Sequence, residues 1–362
     1  MIRKSLTLSL QEKIENRKQS GKQVFSLSNP SFNPKKLNKI DLVNFNLQGK
    51  LTGETKLKEI AKNTLFHDWQ IKKNNSNKIL ITSGAKAALY CVFRGLIERN
   101  QKNICIINPN WPTYFDIIQL ANGNPYNFNT YLKDDFNLDL EKLKNTIIKN
   151  KINILVLTTP NNPTGKIIDS LTLNKLILLC SKLKCYLVID ESFSSYFFEK
   201  KKKLVSKNFN NKYIILVNSF SKNFHLQGLR LGAILCSEKL FDIFSNIHIA
   251  INGAANYVSQ QIIIKNKNKI LKENNIHKKL QMVTNYLDSK NVRYYKPDGS
   301  FYIFPEIKNK KIFKSATMKN GLFYLEGSAF GNIYKNYYRF CFEKKIDELQ
   351  LILNIMEEND IC

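Results

Sequence analysis

The feature that most constrains the fold of this chain is a series of short apolar runs that alternate with helix-like segments through its middle. Helical candidates lie near Ala85–Glu98, Tyr114–Asn122 and Leu171–Lys182. Runs with the composition of buried strands accompany them: Ile104–Ile107, Ile154–Leu157, Tyr186–Ile189, Ile214–Val217 and Ala233–Leu235. Apolar strands without strict alternation, separated by helices, predict a three-layer α/β fold, in which helices cover both faces of a mostly parallel sheet.

The pattern of short strands alternating with helices ends at about residue 262. A long basic helical stretch, Ile263–Lys290, leads to a strand pattern around a turn at Pro297–Gly299, and Ile346–Glu358 has a helical period. A chain of 362 residues suits one large and one small domain. We therefore predict a large domain at residues 41–262 and a smaller α+β domain at 263–362, with an N-terminal arm at 1–40 that packs with the small domain.

The formal net charge of +27 raises the possibility of a nucleic-acid partner. However, the lysines are spread along the whole chain, and basic residues do not interleave with aromatic ones as in a nucleic-acid module. The even spread indicates that the positive charge reflects a chain-wide drift in amino-acid composition rather than a binding surface. A non-catalytic, basic nucleic-acid-binding protein stays a distant alternative.

Cysteine and histidine usage indicates the compartment and argues against a metal site. The seven cysteines form no C-x-x-C pair, which predicts buried free thiols in a reducing compartment, here the cytoplasm. The four histidines lack metal-ligand spacing, so no metal is predicted. No apolar run approaches the ~20 residues that span a bilayer, and we expect no secretory signal.

One segment after a predicted strand carries unusual chemistry. The apolar run Tyr213–Val217 is followed by residues 219–232, SFSKNFHLQGLRLG. There the Lys222 amine can form a Schiff base while the Ser219 hydroxyl and the Arg230 guanidinium hold a phosphate. A lysine in so basic a chain is usually a surface charge, but this one directly follows a buried strand. We therefore predict a catalytic role for Lys222.

Other motifs also lie in loops after predicted strands, where ligands of α/β sheets bind. Asn162 belongs to the turn cluster TTPNNPTG, and Asp190 ends the run CYLVID. The tetrad Ser83-Gly84-Ala85-Lys86 opens a helix, whose N-terminal N–H groups can seat a phosphate.

Trp111 and Arg339 complete the set of candidates. Trp111, in NPNWPTYFD, is either a core aromatic or a flat surface against which a ring stacks. Arg339 lies inside the aromatic run NYYRFCF, where a guanidinium needs an anionic partner. That partner is either a substrate carboxylate or a structural ion pair.

In order and spacing, these motifs resemble those of the fold-type I, class I/II aminotransferases. The segments LTGETKLKEIA, PDGSFYIFP and EGSAFG are similar to further family motifs, in particular those of the aspartate/aromatic branch. The resemblance implies the fold of the PLP-dependent transferases and the cofactor pyridoxal 5'-phosphate (PLP). It also implies a ping-pong pair of half-reactions on amino-acid and 2-oxo-acid substrates, and a homodimer with active sites at the interface.

The resemblance further implies a role for each candidate residue. Lys222 would carry the cofactor and move the substrate proton, and Asp190 would pair with the pyridinium N–H. Asn162 would donate to the phenolate oxygen and Trp111 would stack on the ring. The phosphate seat would comprise Gly84, Ala85, Lys86, Ser219 and Arg230. The substrate site would comprise Arg339, Ser28, Asn29 and Lys86.

Three positions depart from the family pattern. The tyrosine that usually follows the pyridinium aspartate by three residues is Phe193 here, and the tyrosine contributed across the dimer is Gln48. The usual N-terminal glycine corresponds to Ser28 or Asn29. These changes keep open a PLP decarboxylase or C–S lyase of the same fold, and the histidinol-phosphate aminotransferases are another alternative. For Lys86, the resemblance leaves two readings: its side chain binds the distal carboxylate of a dicarboxylic substrate, aspartate or glutamate, or it contributes only its backbone N–H.

Overall fold

The computed structural model describes residues 6–32, 49–69, 78–97, 102–198, 212–270 and 276–361. The helices are α1 (Leu6–Gln19), α2 (Thr55–Thr64), α3 (Ala85–Ile97), α4 (Thr113–Leu120), α5 (Leu140–Lys149), α6 (Ser170–Lys182), α7 (Phe220–Asn223), α8 (Glu238–Asn252), α9 (Tyr257–Ile270), α10 (Ile276–Ser289), α11 (Lys310–Lys319) and α12 (Ile346–Glu358). Short 3-10 helices lie at His67–Trp69, Leu132–Asp134, Gln227–Leu229, Gly327–Phe330 and Asn332–Tyr334.

The strands are β1 (Phe25–Ser26), β2 (Ile79–Thr82), β3 (Asn103–Asn108), β4 (Asn124–Asn129), β5 (Ile154–Thr158), β6 (Tyr186–Asp190), β7 (Ile214–Ser219), β8 (Gly232–Leu235), β9 (Tyr302–Ile303), β10 (Leu322–Phe323), β11 (Leu325–Glu326) and β12 (Tyr338–Cys341). In the described part of the chain, seven of them form one sheet in the order β2-β8-β7-β6-β5-β3-β4. Strand β8 runs antiparallel to both neighbours, and the other pairings are parallel. The predicted mostly parallel α/β sheet is confirmed.

Both faces of this sheet are apolar, which explains why its strands lack alternation. In β5, Leu155 and Leu157 face one core, which is shared with α2, α5, α6 and α9. Ile154 and Val156 face a second core, which is shared with α3, α4 and α8. Successive side chains of a strand point to opposite faces, so burial on both sides requires a continuous apolar run.

The C-terminal region has a core of its own. Antiparallel strands β11, β12 and β9 form a small sheet, and β12 and β9 pack with α10, α11 and α12 in a separate apolar cluster. The basic stretch predicted as one helix from Ile263 contains two described helices: α9 begins earlier, at Tyr257, and α10 ends at Ser289. Ile263 packs in the core of the large sheet.

The N-terminal segment is attached to the C-terminal region. Strand β1 pairs in parallel with β10, and the Cys341 N–H donates to the Leu27 carbonyl at 2.7 Å. The Arg17 guanidinium donates to the Met318 and Lys319 carbonyls at the end of α11. Basic side chains near exposed C-terminal carbonyls of a helix are favourable, because they satisfy acceptors that lack intrahelical partners.

A turn of the C-terminal region closes against the sheet loops. The Asp298 and Gly299 N–H groups both donate to the Gly165 carbonyl, and the Ser300 N–H donates to the Tyr196 carbonyl. A Cβ at Gly299 would lie 2.2 Å from the Tyr196 carbonyl oxygen. Only glycine therefore fits this close approach of two backbones.

Candidate active site

A cleft of about 470 Å³ lies where the carboxyl ends of the sheet strands face the C-terminal region. It brings together residues separated by most of the chain. Of the residues predicted from the sequence, its lining includes Asn29, Ala85, Lys86, Trp111, Asn162, Asp190, Ser219, Lys222, Arg230 and Arg339. Ligands of α/β sheets bind in this position, because the loops after parallel strands open at one edge.

Lys222 lies in α7, the single helical turn that follows β7. The Ser219 hydroxyl caps this turn by accepting from the Ser221 N–H at 3.0 Å. Burial lowers the pKa of the Lys222 amine to about 8, and the Arg339 and Arg230 cations also lower it. An amine with a depressed pKa is more often neutral at physiological pH, and the neutral amine is the nucleophilic form.

Asp190 ends β6 and is held by a compact network. Its Oδ1 accepts from the Ser192 N–H at 2.9 Å and from the Ser192 hydroxyl at 2.6 Å. Its Oδ2 accepts from the Tyr114 hydroxyl at 2.6 Å, and that hydroxyl also bonds to Thr158 Oγ1. Burial raises the pKa of Asp190, while the Ser192 and Tyr114 hydrogen bonds oppose the rise.

The next residue, Glu191, serves a different purpose. Both of its carboxylate oxygens accept from Trp69 Nε1, at 2.9 and 3.0 Å. Burial raises the pKa of Glu191 to about 8. This acid is therefore bonded to the indole of Trp69, and Asp190 alone of the two lines the cleft.

The predicted phosphate seat forms where α3 begins. Gly84 has a φ of 89°, and a Cβ on it would lie 2.8 Å from Arg230 Nη2. A Cβ on Gly232 would lie 2.7 Å from the Ala85 nitrogen. These two glycines let the Arg230 guanidinium and the backbone of β8 approach the first N–H groups of α3, which is the arrangement that binds phosphate.

Trp111 and Lys86 form one wall of the cleft. The Lys86 ammonium lies 5.3 Å from the centroid of the Trp111 ring, within cation–π range. Burial and the nearby Arg230 cation lower the pKa of Lys86, while Asp116 raises it. Lys86 is nevertheless an exposed side chain at the start of α3.

Arg339, on β12, also lines the cleft. Its guanidinium donates to Asn162 Oδ1 at 2.9 Å and to the Ser28 carbonyl at 2.6 Å, and it covers the Tyr302 ring at 4.0 Å. Among the described residues, no carboxylate lies within 4.0 Å of this guanidinium. The alternative prediction, that Arg339 forms a structural ion pair, is therefore wrong for the described residues. Arg339 Nε is buried without a hydrogen-bond partner.

The N-terminal candidates differ in how they reach the site. Asn29 lines the cleft directly. Ser28 contributes its carbonyl to Arg339, whereas its hydroxyl bonds to Ser26 Oγ at 2.8 Å. Ser28 therefore helps to hold the arginine in place through its backbone.

The departures from the family pattern have identifiable surroundings. Phe193 lines the cleft and packs edge-on against Phe301 and Tyr302. The lining of the cleft does not include Tyr196, whose hydroxyl bonds to His225 Nε2. Gln48 lies outside the described residues.

Sequence reasoning missed several residues of the site. Tyr114, Thr158 and Ser192 surround Asp190, and His248 accepts from the Ser83 N–H at 3.3 Å in the phosphate seat. One of these had a signal in the sequence. Ser192 follows Asp190 by two residues, the spacing of an Asx turn.

The side chains that line the cleft match the chemical groups of PLP. The buried Asp190 carboxylate faces it without an ion-pair partner among the described residues, and Oδ2 can accept a second donor. A pyridinium N–H⁺ would supply that donor and a compensating charge. The glycine cradle beside Arg230 suits the phosphate, and the half-buried Lys222 amine suits the aldehyde.

Comparison with known proteins agrees with this geometry. The family model "Aminotransferase class I and II" matches residues 35–354. "Probable aspartate aminotransferase" of Methanocaldococcus jannaschii is 29% identical over 84% of this chain and 83% of its own length. "Aspartate aminotransferase" of Sulfurisphaera tokodaii is 28% identical over 78% of this chain and 74% of its own length.

Solved structures share the fold. The aspartate aminotransferase of Thermotoga maritima superposes with a TM-score of 0.84 at 23% identity, covering 99% of this chain and 97% of that one. The chain belongs to the class I and II aminotransferase family. It is an aminotransferase, and its cofactor is PLP.

Other expectations concern thiols, metals and membranes. Cysteines 91, 105, 180, 185, 236 and 341 are free and buried, and Cys362 lies outside the described residues. Within the described ranges, no group of three or more His, Cys, Asp or Glu side chains could hold a metal ion. No described helix is long and apolar enough to cross a bilayer.

Proposed function

We propose that this aminotransferase takes a dicarboxylic amino acid, aspartate or glutamate, as amino donor and a 2-oxo acid as acceptor. The observation that carries the proposal is that two cations, Arg339 and Lys86, line the same cleft. Arg339 suits the substrate α-carboxylate, and Lys86, held against Trp111, suits the distal carboxylate. The relatives named aspartate aminotransferase support the same substrate class.

The cofactor half of the cleft binds PLP through complementary charges. The N–H groups of Ala85 and Lys86, the Ser219 hydroxyl and Arg230 hold the phosphate at the start of α3. Trp111 covers the ring and excludes water, and Asn162 donates to the phenolate oxygen. Asp190 holds the pyridine N–H, and the bound cofactor then supplies an electron sink for the substrate Cα.

Lys222 transfers the proton. Its amine would hold the cofactor at the aldehyde, and the same amine, when free, would take the proton from the substrate Cα. The depressed pKa of about 8 suits this exchange, because the amine can both accept and release a proton near neutral pH. The Arg339 guanidinium meanwhile fixes the α-carboxylate and so orients the Cα–H bond.

Larger-scale organisation is also part of the proposal. We assign residues 1–40 to an arm, 41–262 to the PLP-binding domain and 263–362 to the small domain. The protein would act as a cytoplasmic homodimer, with neither nucleic acid nor membrane as a partner. The buried free thiols support a reducing compartment.

The Lys86→Ala variant tests the substrate class. Loss of a charged hydrogen bond of about 1.5–3 kcal/mol predicts a KM for aspartate about tenfold to a hundredfold higher. Turnover of alanine and PLP affinity should not change, because the backbone N–H at position 86 is retained. The matched variant Lys86→Arg should keep aspartate turnover within severalfold.

Unchanged aspartate turnover in Lys86→Ala would overturn the dicarboxylate proposal. Product analysis of the wild-type enzyme adds a second criterion. A 2-oxo acid is expected, whereas release of carbon dioxide or sulfide would identify decarboxylation or C–S cleavage.

A further inference from the structure

Ser192 makes two contacts with one oxygen of Asp190. Its N–H and its hydroxyl donate to Oδ1 at 2.9 and 2.6 Å, and the side chain also lines the cleft. The shorter contact is in the range of O–H···O⁻ bonds, which are about twice as strong as neutral ones. Ser192 is therefore the main partner of this oxygen.

The surroundings of Asp190 show why that contact matters. The side chain is 4% exposed, and within the described residues no cation lies within 4.0 Å of its carboxylate. Tyr114 on α4 reaches Oδ2, and the neighbouring Glu191 carboxylate bonds to Trp69 instead. Hydrogen-bond donors from Ser192 and Tyr114 are thus what offsets the cost of burying the charge.

A carboxylate that faces a pyridine nitrogen shares one proton with it. Strong donors to the carboxylate weaken its affinity for the proton, which then stays on the nitrogen. Removing a donor moves the proton toward the carboxylate and leaves the ring nitrogen neutral. A neutral ring withdraws electrons less, so the cofactor becomes a weaker electron sink.

We propose that Ser192 is a positioning residue of the cofactor site whose hydroxyl keeps Asp190 ionised, so that the pyridine nitrogen of bound PLP stays protonated. The inference rests on the proposed pairing of Asp190 with that nitrogen. Since Phe193 has no hydroxyl to donate to the phenolate, control of the ring depends more on the Asp190 side of the cofactor.

The test uses the full-length protein loaded with PLP that carries ¹⁵N in the ring, compared by ¹⁵N NMR. In the wild type, the ring nitrogen should resonate as pyridinium. In Ser192→Ala, it should shift toward the neutral pyridine position, and PLP should bind about tenfold more weakly, as expected for loss of a charged hydrogen bond. Ser192→Thr, which restores a hydroxyl, should recover both.

Ser195→Ala is the matched control, because Ser195 is exposed in the same loop and its side chain makes no hydrogen bond to Asp190. If Ser192→Ala does not fold, Ser192→Cys removes the strong donor with a smaller change in shape. A pyridinium signal and wild-type PLP affinity in the folded Ser192→Ala variant would overturn the role of Ser192 and leave the Asp190 pairing in place. A neutral ring nitrogen in the wild type would overturn the Asp190 pairing itself.

Discussion

The two halves of the cleft are built in different ways. In the cofactor half, Asp190, Lys222 and Ala85 each lie at or just after the end of a strand of the same sheet, β6, β7 and β2. In the substrate half, Arg339 is held by Asn162 and Ser28, which are 177 and 311 residues away in the sequence. One half depends on short segments after strands, and the other depends on contacts between distant segments.

The difference separates local from long-range information. Parallel strands open at one edge of a sheet, so motifs that follow them converge whatever the rest of the chain does. The position of Arg339 instead requires the C-terminal strands, the N-terminal segment and the loop of Asn162 to dock together. We therefore expect the two halves to respond separately to substitution.

The largest expected effect separates substrate binding from cofactor binding. Arg339→Lys removes the planar guanidinium that can hold a carboxylate with two hydrogen bonds. We predict that kcat/KM for aspartate falls about a hundredfold, as for loss of a charge-assisted pair. PLP affinity should stay within about twofold of wild type by absorbance titration, since Asp190, Lys222 and Arg230 make no hydrogen bond to Arg339 and a lysine can still donate to Asn162 Oδ1.

Arg293→Lys serves as the control for that experiment. Arg293 is exposed in the C-terminal region and bonds to Glu306, away from the cleft. An equal loss of PLP affinity and of kcat/KM in Arg339→Lys would show that the halves are coupled rather than separate.

A second prediction concerns how pH affects cofactor capture. PLP reacts with the neutral Lys222 amine, whose pKa is lowered to about 8. Because the neutral fraction falls as pH drops below that value, the rate of capture should rise about tenfold for each pH unit between 6 and 8. It should level off above pH 8.

Stopped-flow absorbance of the cofactor-free protein measures this rate. Lys222→Ala should show no such rise, which separates the lysine from titration of the PLP phosphate. A rate that still climbed at pH 10 would mean that Lys222 titrates like an exposed lysine.

The smallest expected effect concerns the turn of the C-terminal region that closes against the loops of the large sheet. In Gly299→Ala, the new Cβ would lie 2.2 Å from the Tyr196 carbonyl oxygen, so backbone must shift. Overpacking of this kind costs about 1–3 kcal/mol, which lowers Tm by several degrees. Gly228→Ala is the matched control, since nothing lies within 4 Å of its added Cβ. Equal Tm values would show that this docking contributes little.

The strand pattern allowed much of the sheet to be predicted. The run Ile154–Leu157 became β5, Ile154–Thr158, and the other predicted strands agree within two residues of their observed ends. The edge strand β4 was not predicted, because NPYNFN is polar and contains Pro125. An edge strand tolerates proline and half-exposed polar residues, since it pairs on one side only.

The site could be predicted only as far as its motifs reach. Lys222, Asp190 and Arg230 belong to short patterns that follow strands, and they line one cleft. The contact of Arg339 with the Ser28 carbonyl had no local signal, because it joins a side chain to a backbone oxygen of a distant segment. The Tyr114 contact with Asp190 also depends on how α4 packs against β6.

The most direct test of the account asks which lysine carries the cofactor. The PLP-loaded protein is reduced with borohydride, digested, and the labelled peptide is identified by mass spectrometry. In a chain with 56 lysines and arginines, the account predicts a label on Lys222 and on no other lysine. A label on another residue, with Lys222 unmodified, would contradict it.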